Sequence, residues 1–125
     1  MKYITPILII CALAFSACVD CEQIEKDARS LKASYQNCSG EDTCQIVSMY
    51  ELAGPNNCLG PFQCPAAFNS NADLDQFESK AKKLVEDYKD CQQCAMASCL
   101  GVDDLIAECD TDAGVCITID NWNND

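Results

Sequence analysis

Cys91-Gln92-Gln93-Cys94-Ala95-Met96-Ala97-Ser98-Cys99 places three cysteines in nine residues between a helical pattern and a hairpin pattern, and the fold turns on how those sulfurs are used. On its N-terminal side, Asp73 to Cys91 predicts an amphipathic helix. Leu74, Phe77, Ala81, Leu84 with Val85, Tyr88 and Cys91 recur at steps of three and four. Ser70, Asn71 or Asp73 can cap its start, and Lys80, Lys82, Lys83 and Lys89 load its C-terminal half as the helix dipole favours. On the other side, Leu105-Ile106-Ala107-Glu108-Cys109 and Val115-Cys116-Ile117-Thr118-Ile119 flank Asp110-Thr111-Asp112-Ala113-Gly114, the signature of an antiparallel hairpin.

Further upstream, Ala53 to Asn71 is rich in Pro, Gly and Asn and predicts a long loop held by Cys58 and Cys64. Cys44 to Tyr50 is a β-branched run and predicts a strand. Asp20 to Gln36 predicts another amphipathic helix, with Cys21, Ile24, Ala28, Leu31 and Tyr35 on one face and Asn37-Cys38-Ser39-Gly40 as its stop. Placing the 44–50 strand beside the C-terminal hairpin gives a short antiparallel sheet under two helices. The expected class is α+β, a small disulfide-rich domain.

Met1-Lys2 followed by the apolar run Ile4 to Phe15 reads as a signal peptide, since the run falls short of the roughly 18 residues a spanning helix needs. Ala12-Leu13-Ala14 suits ordinary signal peptidase, whereas Phe15-Ser16-Ala17-Cys18 resembles a bacterial lipobox with Phe where Leu is usual. Cysteine parity separates the two. From Cys18 onward there are eleven cysteines, so ordinary cleavage strands one thiol. Acylation of Cys18 instead leaves ten: Cys21, Cys38, Cys44, Cys58, Cys64, Cys91, Cys94, Cys99, Cys109 and Cys116, which pair off evenly. The expected organisation is therefore a lipoprotein-type signal peptide at 1–17 and one domain at 18–125. Val19, where an Asp would retain an enterobacterial lipoprotein in the inner membrane, favours the outer membrane or cell surface.

Apolar burial alone is a weak driver for this chain. Leu, Ile, Val and Phe make up 20 of the 108 residues from Cys18, and the net charge of that segment is −13, the composition of a chain that does not fold on its core. Five disulfides worth about 2–4 kcal/mol each would reverse that outcome, although ten cysteines admit hundreds of pairings and spacing does not choose among them. The same composition excludes whole classes of function. With no His, the Ser-His-Asp and Cys-His hydrolytic sets and His-containing zinc sites are absent. The acidic balance opposes nucleic acid as a partner.

Several motifs carry possible chemistry. Cys91-x-x-Cys94 has the spacing of a thiol-disulfide oxidoreductase, the alternative enzymatic reading. It follows a helix, however, and the negative end of the dipole with Asp87 and Asp90 raises a thiol pKa there. A zinc set of Cys91, Cys94, Cys109 and Cys116 has loose spacing and suits an oxidising compartment poorly, so no metal is expected. Asn69-x-Asn71-x-Asp73 begins like an EF-hand loop but has Leu74 where Gly belongs and Lys80 where Glu belongs. Asp110-x-Asp112-x-Gly114 is what a hairpin turn selects in any case. Phe62 and Phe68 on the cross-linked loop are the candidate binding aromatics, exposed and pre-ordered if they are not core.

The order Cys44, strand, Cys58, Cys64-Pro65, long helix, Cys91-Gln92-Gln93-Cys94, Cys99, then Cys109 and Cys116 in a hairpin resembles the small eight-cysteine-cluster envelope lipoproteins of Gram-negative bacteria. The resemblance spans Glu41 to Ile119 and implies an exported, lipid-anchored, disulfide-stapled fold with no activity attached to it. Cys21 and Cys38 on the first helix depart from it and would add a fifth bridge, stapling that helix or joining it to the body. Together these readings give a non-catalytic binding or structural module without cofactor, held to a membrane by its N-terminal lipid, with a protein partner not specified. An unanchored secreted inhibitor or effector is the other reading.

Overall fold

The computed structural model describes residues 20–54, 58–91, 94 and 98–121. The signal peptide expected at 1–17 and the acylation expected at Cys18 lie outside those residues. In chain order the elements are α1 (Cys21–Ser34), β1 (Cys44–Val47), α2 (Met49–Ala53), a 3-10 turn (Gly60–Phe62), β2 (Ala66–Asn69), α3 (Leu74–Tyr88), 3-10 turns at Lys89–Cys91 and Val102–Asp104, β3 (Leu105–Asp110) and β4 (Val115–Asp120). This is the small, disulfide-rich α+β class that the pattern predicts.

Both long helices start on an aspartate. Asp20 accepts a hydrogen bond from the Gln23 amide at 3.0 Å and Asp73 one from the Gln76 amide at 3.0 Å, each satisfying a donor that the first turn leaves unpaired. Their apolar stripes face each other, with Ala28 of α1 and Phe77, Ala81 and Tyr88 of α3 buried. Phe77 is the centre of the core. The rings of Tyr35, Phe62 and Phe68 meet it edge-on at centroid distances of 5.3, 5.7 and 5.0 Å, and Met49 and Leu59 close the remaining sides.

That arrangement corrects the reading of Phe62 and Phe68 as exposed binding aromatics, because both are 0 % exposed. Pro61 at the start of the Gly60–Phe62 turn, with the Phe62 amide donating to the Leu59 carbonyl at 2.9 Å, rolls Phe62 inward. The supposed long loop is more ordered than Pro and Gly suggest, since β2 begins directly after Pro65.

Two further corrections concern strands. The 44–50 run stops being a strand at Val47. Ser48 opens the short helix α2, which ends at Gly54 in a positive-φ conformation (φ 98°) open to glycine. β1 also pairs antiparallel with β2, Cys44 opposite Asn69 through Val47 opposite Ala66, rather than with the C-terminal hairpin, which forms its own two-stranded sheet of β3 and β4.

The segment leaving α1 connects the two sheets. The Tyr35 carbonyl accepts from the Asn69 amide at 3.1 Å, and the Gln36 side chain donates to the Ala67 carbonyl at 2.9 Å. Going the other way, the Gln36 carbonyl accepts from the Cys116 amide at 2.7 Å, Asn37 bridges to Val115, and the Cys38 amide donates to the Gly114 carbonyl at 3.0 Å. The short stretch after the helix stop thus serves as a seam between β2 and β4, covering backbone groups on both strands.

Five disulfides complete the frame: Cys21–Cys91, Cys38–Cys109, Cys44–Cys116, Cys58–Cys94 and Cys64–Cys99. Each joins a cysteine from residues 21–64 to one from residues 91–116, and none closes within either half. Cys21 and Cys38 do not form a bridge with each other; each instead reaches about 70 residues ahead, at separations of 70 and 71.

The pairing has a direct consequence for digestion at lysine under denaturing, non-reducing conditions. Cleavage after Lys26, Lys32, Lys80 and Lys89 is expected to leave the peptide holding Cys21, the 33–80 peptide and the peptide beginning at residue 90 travelling as one mass that reductant splits into three. Release of the 33–80 peptide without reductant would show its four cysteines paired locally and contradict the connectivity.

Candidate functional site

The cysteine-dense corner is a junction of three bridges. Cys91, at the end of the turn that extends α3, reaches Cys21 at the start of α1. Cys94 holds Cys58 and Cys99 holds Cys64, on either side of the Gly60–Phe62 turn. Cys91 and Cys94 therefore belong to different bridges, and the Cys91-x-x-Cys94 couple that an oxidoreductase would use is not formed. No described cysteine is free. The zinc set of Cys91, Cys94, Cys109 and Cys116 is likewise dispersed over four disulfides.

A different group of sulfurs does converge. Cys109 and Cys116 face each other in the β3–β4 register, so their bridges to Cys38 and Cys44 leave the hairpin side by side, with the sulfurs of Cys38, Cys44 and Cys109 all within 4.8 Å of one another. Every one of them is oxidised, and a disulfide sulfur offers no thiolate to a metal. The cluster is a double clamp on the seam.

Polar side chains fix the same frame. The Tyr88 hydroxyl, on a side chain 2 % exposed, donates to Glu25 at 2.7 Å and ties α3 to α1. Burial first, and the adjacent Glu25 carboxylate second, push its pKa up to about 12. Asp42 accepts from the Ser39 amide at 2.8 Å, the Ser39 hydroxyl at 3.1 Å and the Asn69 side chain at 3.2 Å, and these hydrogen bonds hold its carboxyl below the usual range. Lys32 donates to the Pro61 carbonyl at 3.1 Å, and burial lowers its pKa.

The acidic motifs resolve into turn chemistry. Asp110 Oδ1 accepts from the Asp112 and Ala113 amides at 3.1 Å each, and Gly114 takes a positive φ of 72°. Asn69 Oδ1 accepts from the Asn71 amide at 2.8 Å, while Asp73 caps α3.

Between the end of α1, the end of β2 and the start of α3 lies an open cleft of about 260 Å³ whose wall is almost wholly uncharged, with Tyr35, Asn37, Asn69, Asn71 and Gln76 on it. Asn69 donates to the Asn37 carbonyl at 2.8 Å, and the Tyr35 hydroxyl donates to Gln76 Oε1 at 2.7 Å. Neither the carboxamides of Asn37 and Asn71 nor Gln76 Nε2 has a partner among the described residues. Sequence reasoning passed over these residues because Asn37 reads as a helix stop and Asn69 to Asp73 as a failed calcium loop. Their closeness depends on the seam, which has no local sequence signal.

Comparison with protein families, with curated proteins and with solved structures finds no match to the chain. Among the described residues no helix is long and apolar enough to cross a membrane. The protein is small and disulfide-rich, which suits an oxidising compartment and is consistent with a structural or binding module.

Two of the shifted groups, Tyr88 and Asp42, act at opposite ends of the pH range of stability. Tyr88 has a folded pKa above its unfolded value, so its contribution is whole below about pH 10 and is lost as pH rises towards 12. Asp42 is lowered, so its contribution is present above the ordinary carboxylate range and is lost as pH falls through the folded value. In urea titrations across pH, Tyr88→Phe is expected to flatten the alkaline limb and Asp42→Asn the acid limb. If either variant keeps the wild-type slope on its own limb, the assignment fails.

Proposed function

We propose that the protein is a lipid-anchored, non-catalytic acidic module that the cell exports, tethers through Cys18 at the outer membrane or cell surface, and displays as a binding or structural element. The observation that carries this reading is the complete pairing of Cys21 to Cys116. Five bridges use every one of those ten cysteines, so among the described residues none is left to pair with Cys18. Cys18, placed after Phe15-Ser16-Ala17, then falls at the attachment point a lipobox supplies. Diacylation with a third chain on the amine gives the two or more chains that stable anchoring needs.

The resemblance to eight-cysteine-cluster envelope lipoproteins supports the same compartment. Cys21 and Cys38 enlarge that core by linking the first helix to the corner and to the hairpin. The non-catalytic reading draws support from the lack of His and from the splitting of Cys91 and Cys94 between two bridges.

Intact-mass analysis of the mature protein tests the proposal. The expected product starts at Cys18, carries the mass of acyl chains, and has ten hydrogens fewer than its reduced form. Cys18→Ser is expected to abolish acylation and membrane association together. A wild-type N-terminus at Phe15 or Ala17 without acyl mass would overturn the anchor and favour the secreted reading.

A further inference from the structure

We infer that the cleft between α1, β2 and α3 binds a neutral saccharide. This rests on the binding reading above and names its ligand class.

The chemistry follows from which groups are already used. Asn69 is committed on both sides of its carboxamide: it donates to the Asn37 carbonyl and to Asp42, and accepts from the Asn71 amide. Asp73 is committed to capping α3, and Ser34 donates its hydroxyl to the Leu31 carbonyl at 2.7 Å. These residues build the wall. What they present to solvent are four groups: the exposed carboxamides of Asn37 and Asn71, the amide NH2 of Gln76, and the remaining lone pair on the Tyr35 oxygen, whose proton goes to Gln76. A carboxamide offers a donor and an acceptor side by side in one plane. Adjacent sugar hydroxyls, each both donor and acceptor, match that arrangement. The half-buried Tyr35 ring, braced edge-on against Phe77, adds apolar surface beside the polar groups.

The electrostatics select against other ligands. No Lys or Arg lines the cleft, and the whole chain has a net charge of −12, so phosphates, carboxylates and acidic glycans meet repulsion without a counter-charge. The cleft's volume, about 260 Å³, lies just below the usual range of ligand sites and admits no more than one sugar ring at a time. The wall is also pre-ordered, since the Cys38–Cys109 bridge and the Asp42 hydrogen bonds hold Asn37 and Asn69 in place before a ligand arrives.

The test is a titration of the oxidised, isotope-labelled mature protein with glucose, galactose, mannose and N-acetylglucosamine, and their short neutral oligomers, read by the side-chain amide NMR signals. Glucuronate serves as the acidic comparison. The expected result is saturable shifts at Asn37, Asn71 and Gln76 for at least one neutral sugar, weaker or absent shifts for glucuronate, and roughly tenfold weaker binding in Asn71→Ala and Gln76→Ala. Both substitutions are at exposed positions and are expected to leave the disulfide count and far-ultraviolet dichroism unchanged, a control that separates loss of binding from loss of fold. The proposal is overturned if no neutral sugar shifts those amides, if glucuronate binds as tightly, or if both variants bind as the wild type does. A failed titration with acylation at Cys18 intact would reject the ligand and leave the anchored module standing.

Discussion

Covalent sulfur linkage between the two halves of the chain is the constraint on which the rest of the structure depends. Every bridge spans between 35 and 72 residues, so each closes a long loop in the unfolded chain. In the chain-entropy account, loops of that length are worth about 4 kcal/mol apiece when closed singly. The apolar interior is small by comparison: a cluster of ten buried residues, four of them alanines, centred on Phe77. An acidic surface with few basic residues works against compaction, and the bridges hold the halves together despite it.

The bridges also explain how small secondary elements survive. Neither two-stranded sheet would be stable alone. The Tyr35–Cys38 seam hydrogen-bonds both, and the two clamped disulfides at Cys38–Cys109 and Cys44–Cys116 fasten the seam and β1 to the C-terminal hairpin. At the opposite end, Cys21–Cys91 and the Tyr88–Glu25 hydrogen bond hold α3 on α1. The Gly60–Phe62 turn is pinned on both flanks, which keeps Phe62 against Phe77. The polar cleft is a by-product of this arrangement, since its walls come from three elements that touch only because the frame is closed.

Local patterns made part of this legible in the sequence. Both long helices and the hairpin are periodic or carry turn chemistry, and their limits agree with the pattern to within a few residues at each end. Short-range signals failed where tertiary context decided. Ala66-Ala67-Phe68 is a strand buried on both faces, so it shows no alternation, and it follows a proline in a segment that reads as loop. Ser48-Met49-Tyr50-Glu51 has the spacing of a capping box and could have marked α2, but the β-branched residues before it obscured that signal. The disulfide pairs and the gathering of Asn37, Asn71 and Gln76 join residues far apart in sequence, and spacing carries no information about such contacts. Phe62 illustrates the same limit, for an aromatic on a cross-linked loop reads equally as a ligand contact or as core until its neighbours are known.

The most direct test of the central claim is a thermal melt of the oxidised protein beside the same protein reduced and alkylated. The account predicts a cooperative transition for the oxidised form and, for the reduced form, no native far-ultraviolet dichroism and no transition even at room temperature. A reduced chain that keeps its helical signal and melts at the same temperature would show that the apolar interior suffices and would contradict the account.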